Sequence, residues 1–435
     1  MIGAKTLFSA FAAAAFMAAP ALTQQPGIGP ADSLYQAGQF VEAEKIYSEI
    51  AKTDARSYPA SLKLANIALL SNQLDRAIDW SHRALVLKPG DTNAKIILAE
   101  ALYREGKFAD AGGAVGSADV EAAAVKQSYA SLNVAKLKSF AGQIPYELHG
   151  PGQITRLKFV KAEPLPLLKV RVNGGREAIF FLDTGGSELL LDTQFARELG
   201  VKTMGSVPGL FSGGQTALVG NGRVDSVTLG DWTLKNVPVG MLPLRSMSGA
   251  FGVPQVDGCV GTGILYQFLA TIDYPAGELV LRRKTPADLK AFDAQSQASP
   301  RRKRAVMPMW MAGDHFMVTW GQVQAIPSSL FFVDSGLAGA GVKLAESAIK
   351  AAGITLERGK AEAGLGGGGH LITIPYSVTS FSLGEVTEKN VSGIYDGPFP
   401  WENAWGFHVD GMAGNDFLKA HALTLDFVGM RLILQ

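Results

Sequence analysis

A single cysteine, Cys259, stands in 435 residues, so no intrachain disulfide can hold this chain together. Each part must be held by its own apolar core, and the chain is long enough for that. A surplus of either charge is also missing. The 40 Lys and Arg balance 39 Asp and Glu to leave +1, which offers no electrostatic footprint for nucleic acid. The one basic cluster, Arg301-Arg302-Lys303-Arg304, falls in a polar stretch and reads as solvated linker. Histidine is scarce. His82, His149, His315, His370, His408 and His421 are scattered with no two at i, i+4, and no paired-cysteine spacing exists, so neither a metal site nor a metal cofactor is indicated. A Gly-x-Ser-x-Gly elbow is absent, which removes the commonest serine-hydrolase pattern. Beyond the N-terminus no apolar run is long enough to read as a membrane span.

What is present begins with a targeting pattern over residues 1–21. Lys5 supplies a positive start, Leu7 to Ala18 is apolar and alanine-rich, and Ala19-Pro20-Ala21 offers a small-residue cleavage site. The expectation is an exported chain, periplasmic or secreted. Residues 28–142 then carry a repeat of period 34. Ala31, Ala65 and Ala99 recur at that interval, as do Tyr35, Leu69 and Tyr103, then Phe40, Leu74 and Phe108, and Ala43, Ala77 and Ala111. Small residues where helices touch, with large apolar ones in the gaps, describe stacked helix–turn–helix units. The turns are Ala37-Gly38-Gln39, Ser71-Asn72-Gln73 and Glu105-Gly106-Lys107, and residues 120–142 are expected to form a capping helix. The pattern resembles tetratricopeptide repeats. That resemblance implies a unit that folds by itself and holds a peptide or protein partner on its concave face, or else a simple spacing arm.

The remaining chain repeats itself on a larger scale. Phe180-Phe181-Leu182-Asp183-Thr184-Gly185 is matched by Phe331-Phe332-Val333-Asp334-Ser335-Gly336. Asp225 to Val237 aligns without a gap on Thr379 to Val391, and Val256 to Leu281 on Val409 to Leu434. Three landmarks in the same order at nearly the same spacing mean an internal duplication. Each triplet places an acid on a tight turn at the end of a buried strand. Two such turns face to face would bring the carboxylates of Asp183 and Asp334 within roughly 3–4 Å, where they share one proton and supply an acid and a base side by side.

These residues resemble the two lobes of a pepsin-type aspartic protease, with short lobes also similar to the retroviral form. The resemblance implies an all-β bilobal fold after the all-α repeats, with lobe 1 at residues 151–284, a linker at 285–305 and lobe 2 at 306–435. It implies peptide-bond hydrolysis by Asp183 and Asp334, with Thr184 and Ser335 orienting them and Gly185 and Gly336 allowing close approach. It requires no cofactor and, with both lobes in one chain, no second copy. A flap tyrosine of the pepsin kind is lacking between Asp183 and Val256. Gly209-Leu210-Phe211-Ser212-Gly213-Gly214 and Gly364-Leu365-Gly366-Gly367-Gly368-Gly369 are the candidate flaps, the second standing before a strand-like segment and so unsuited to a dinucleotide. Cys259 reads as core, and Trp401 and Trp405 either line a pocket or cover a loop. The same pattern leaves open a non-catalytic module that only binds peptides.

Overall fold

The computed structural model describes residues 28–297 and 304–435. The targeting pattern of residues 1–21 lies outside them, as do Arg301, Arg302 and Lys303. The helical part runs α1 (Gly29–Gln36), α2 (Phe40–Thr53), α3 (Tyr58–Leu70), α4 (Leu74–Leu87), α5 (Thr92–Arg104), α6 (Phe108–Ala114) and α7 (Ser117–Gln127). The helices break at the turns that the 34-residue period marks. Ala31, Ala65 and Ala99 are fully buried, as are Ala43, Ala77 and Ala111, because only a methyl fits where two helices cross. One capping helix does not form over 120–142. The helix stops at Gln127, Ser128 turns left-handed at φ 55°, and a short helix Val134–Lys138 starts from the side chain of Asn133, which accepts from Lys136 N at 2.8 Å.

The β part consists of three sheets, and the duplication is legible in how they are wired. In lobe 1, the strand Glu177–Leu182 lies between Leu167–Val172 and Gly258–Val260, with Leu189–Asp192 next and Trp232–Leu242 beyond. In lobe 2, Ser329–Val333 lies between Phe316–Val323 and Val409–Ala413, with Val342–Leu344 next and Val386–Tyr395 beyond. Each lobe has the same two parallel pairs, Phe180↔Gly258 with Leu189↔Val239 in one and Phe332↔Met412 with Val342↔Gly393 in the other. A six-stranded sheet under both lobes takes three strands from each half. At its centre Leu269–Asp273 runs antiparallel to Ala422–Asp426, and Thr271 pairs with Thr424, their hydroxyls 2.8 Å apart. Those two threonines are equivalent in the sequence repeat, so the halves are related by an approximate two-fold axis through this point.

Two boundaries differ from expectation. Glu147–His149 already pairs with Trp232–Leu242, so lobe 1's sheet begins before residue 151. The stretch 285–305 is partly helical, Pro286–Gln297, and its last residue, Ala305, is paired with Leu434. Arg304 bonds Asp293 of that helix at 2.6 Å.

The helical stack is not an independent unit. One buried cluster joins Tyr35, Phe40, Tyr47 and Leu64 of the stack to Trp310, Phe316, Trp401, Trp405 and Phe407 of lobe 2. Arg104 is buried and donates to Leu69 O at 2.9 Å within the stack and to Gly313 O at 2.8 Å in lobe 2. Buried Lys136 pairs with Glu188 of lobe 1 at 2.6 Å. Asn72 reaches Phe427 O at 2.9 Å. Helices α1, α2, α3 and α5 thus all carry contacts to the β part. Trp401 and Trp405 belong to this contact, their indole N–H groups donating to Ser128 Oγ at 3.0 Å and Gln127 O at 3.2 Å.

Candidate active site

Each triplet follows the buried strand at the centre of its lobe. Asp183 N donates to Val260 O at 3.1 Å and Asp334 N to Ala413 O at 2.9 Å, so a main-chain bond to the parallel neighbour fixes where each turn begins. Each turn then folds back on its acid. Gly185 N donates to Asp183 Oδ1 at 2.7 Å, and Gly336 N to Asp334 Oδ1 at 2.8 Å. Such charge-assisted bonds stabilise the carboxylate form.

The hydroxyls between acid and glycine lock the two loops together. Thr184 N donates to Ser335 Oγ and Ser335 N to Thr184 Oγ1, both at 2.9 Å, while Thr184 Oγ1 donates to Val333 O at 2.9 Å. Thr184 and Ser335 are 1% and 0% exposed, so water does not compete for these bonds. The clasp holds the acids against one another. Asp183 lies against Gly336 and Asp334 against Gly185, and both acids keep part of their surface exposed. A β-carbon on Gly336 would lie 2.1 Å from Asp183 Oδ1, and one on Gly185 2.7 Å from Asp334 Oδ1, so only glycine lets the loops come this close.

Burial raises Asp183 well above the usual carboxylate range, and the charge of Asp334 raises it further, against the pull of the Gly185 and Gly186 N–H groups. Asp334 is also raised, by burial, with the Gly336 N–H, the bond from Asp183 and the charges of His315 and Lys343 opposing. Two acids in contact whose ionisation is disfavoured retain a proton between them at pH values where free aspartates hold none.

The glycine-rich segments form the tips of two hairpins, one per lobe. In lobe 1, Ser206–Leu210 pairs with Thr216–Leu229, leaving Gly213 and Gly214 in the turn with φ of 69° and 73°. In lobe 2, Glu362–Gly366 pairs with Gly369–Leu383, with Gly366 opposite Gly369 and Gly367 and Gly368 between them. The two tips touch. A β-carbon on Gly367 would meet the Phe211 ring at 2.5 Å, one on Gly368 would meet Gln215 at 2.7 Å, and Gln215 bonds His370 O. Lys343 adds a latch: its Nζ reaches Ser212 Oγ at 2.7 Å and Asp396 at 2.6 Å, with both charged side chains almost fully buried. Gln215, Lys343 and Asp396 are absent from the sequence reading, and Phe211 enters it only as part of the first glycine-rich segment. Lys343 had a signal, a cation in the apolar run Val342-Lys343-Leu344, which needs a buried partner.

Residues 168–265 match the aspartyl protease family model. That span holds the Asp183 triplet and the strands around it. No curated protein matches the chain. Among solved structures, the aspartic proteinase from Irpex lacteus is similar at 14% identity and a TM-score of 0.39, over 65% of this chain and 96% of that one. The helical part is similar to SycD, a type III secretion chaperone of Yersinia enterocolitica solved with a peptide of the translocator YopD. That match has 23% identity and a TM-score of 0.20 over 20% of this chain, and it spans 66% of the SycD chain, just under two thirds. An alternative-dimer structure of SycD matches with the same figures. Cys259 is buried behind the Asp183 loop, its thiol raised well above its usual pKa by burial and by both acids, so it is packing and not a nucleophile. Among the described residues no helix is long and apolar enough to cross a membrane.

Proposed function

We propose that the chain is an exported aspartic endopeptidase in which Asp183 and Asp334 activate a water held between them. The observation that carries this is the reciprocal clasp of Thr184 and Ser335, which brings the two acid loops together around two carboxylates whose ionisation is disfavoured. One carboxylate takes a proton from the water as it attacks the peptide carbonyl, and the other gives its proton to the developing oxyanion. The proton removed equals the proton supplied, so the pair is ready for the collapse of the tetrahedral intermediate. The hairpin tips of lobes 1 and 2 must part to admit an extended peptide and then close over it, excluding bulk water. Export rests on the pattern at residues 1–21.

The test is hydrolysis of a broad peptide library between acid and neutral pH. Asp183→Asn and Asp334→Asn should each lower kcat/KM at least about 1000-fold, with the double variant hardly worse, because residues that act as one unit are non-additive. A single Asn variant retaining most activity refutes the dyad. A folded wild-type protein that binds library peptides but cleaves none replaces the enzyme with a binding module.

A further inference from the structure

Lobe 2 buries an ion pair at a place where lobe 1 has only apolar side chains. Lys343 Nζ lies 2.6 Å from Asp396, with the two side chains 1% and 2% exposed. The duplication shows what lobe 1 puts there. The pairing Leu189↔Val239 in lobe 1 is repeated by Val342↔Gly393 in lobe 2, so Lys343 corresponds to Leu190 and Asp396 to Leu242. The cross-strand neighbours agree, Leu190 facing Cys259 and Lys343 facing Met412. Leu190 and Leu242 belong to one apolar cluster. A buried ion pair is often no more stabilising than apolar residues of similar size, and lobe 1 shows that leucines serve at these two positions. The pair therefore does something that leucines do not.

It holds the other lobe. The same Nζ donates to Ser212 Oγ at 2.7 Å, and Ser212 stands at the tip of the lobe 1 hairpin. A β-carbon on the next residue, Gly213, would lie 2.9 Å from Asp396 O, so the tip rests directly on the main chain of lobe 2. Leu210, which ends the hairpin's first strand, packs against the buried cluster shared by lobe 2 and the stack. The tip of the lobe 2 hairpin is met instead by Phe211 and Gln215. We propose that Lys343, oriented by Asp396, is a positioning residue that holds the lobe 1 hairpin shut on lobe 2 in the empty protein, so that an extended chain enters only after Ser212 lets go. Asp396 stays with Lys343 on its own lobe, so the hairpin can leave without stranding a buried charge. The entry step rests on the reading of the cleft as a peptide site, whereas the latch does not.

Hydrogen exchange on the full chain reads the latch without any substrate. Two bonds within the tip report it, Phe211 N to Gln215 O at 2.8 Å and Gly214 N to Phe211 O at 3.1 Å. Ser212→Ala should speed exchange at both amides about 10-fold, because one charge-assisted bond is lost, and Ser212→Thr, which keeps a hydroxyl, should not. Lys343→Leu combined with Asp396→Leu copies lobe 1 and should speed the tip as Ser212→Ala does, with the urea midpoint of the whole protein unchanged or higher. Entry is read by stopped-flow binding of fluorescein-labelled β-casein, an unfolded chain, to the Asp183→Asn protein, which is expected not to cleave it. Adding Ser212→Ala should speed association about 10-fold. Unchanged tip exchange in both Ser212→Ala and the leucine pair overturns the proposal, as does exchange in Ser212→Thr as fast as in Ser212→Ala. Faster exchange with unchanged association overturns the control of entry. Casein that binds neither protein would speak against the peptide reading, with the latch still decided by the tip exchange.

Discussion

Lys136→Met should destabilise the whole molecule and not the helical stack alone. Lys136 Nζ lies 2.6 Å from Glu188 Oε2, with the two side chains 0% and 3% exposed, and Tyr103 donates to the other carboxylate oxygen. Methionine fills nearly the same space but leaves Glu188 charged and buried with one hydroxyl donor. Removing one partner of a buried pair costs about 3–5 kcal/mol. Adding Glu188→Gln removes the stranded charge, so the double variant should recover all but about 1–2 kcal/mol. The measurement is urea unfolding followed by far-UV circular dichroism, which reports the helices, and by tryptophan fluorescence with Trp80 and Trp232 replaced by Phe, so that Trp310, Trp320, Trp401 and Trp405 report lobe 2. Both probes should move together in wild type and variant, because one buried cluster runs from Tyr35 to Phe407. A cost below about 1 kcal/mol would refute the argument from burial. An early loss of helix signal with fluorescence unmoved would refute the shared core and restore an independent stack.

Two further outcomes follow from the acid pair. Both folded pKa values are raised, so between the free aspartate pKa of about 3.9 and the folded values the native state holds more protons than the unfolded one, and stability falls as pH rises through that window. Asp334→Asn should therefore gain stability relative to wild type from pH 4 upward in denaturant titrations, and a pH-independent difference would contradict the raised pair. Gly336→Ala puts a methyl 2.1 Å from Asp183 Oδ1, whereas Gly185→Ala meets Asp334 Oδ1 at 2.7 Å. Forcing the loops apart should cost about 1–3 kcal/mol and most activity, more at Gly336 than at Gly185, and the reverse order in thermal unfolding and peptide assays would count against this geometry.

The duplication was open to reading because both copies keep their acid, hydroxyl and glycine at matched spacing, and equal spacing maps onto equal strand order. The pairing of Thr271 with Thr424 was thus implicit in a gapless alignment. The 34-residue period was equally open, since crossing helices demand alanine at fixed intervals. The docking of the stack was not. Its carriers, Tyr35, Arg104 and Lys136, sit at positions that a free stack could also fill, and only the third dimension shows that Trp405, Gly313 and Glu188 await them. The helix at Pro286–Gln297 had a signal that went unused: Thr285 and Asp288 flank its first turn, Asp288 N donating to Thr285 Oγ1 at 3.3 Å. The expected helix over 120–142 failed because Asn133 caps a new helix more effectively than it continues an old one.

The two-fold relation that brings the acids together does not make them equal. Their backbones are near copies, each acid receiving one glycine N–H and each loop anchored to the parallel strand beside it. Their outer surroundings are not. Asp334 feels the charges of Lys343 and His315, both of which favour its ionised form, while Asp183 feels chiefly the opposing charge of Asp334. Lys343 is where it is because lobe 2 holds the latch to Ser212 and Asp396, and His315 because Asp314 beside it bonds Ser131 of the stack. The features that break the symmetry are thus the ones that tie the halves to each other and to the helices. They surround the two acids unequally, while the pair itself holds its proton as one unit.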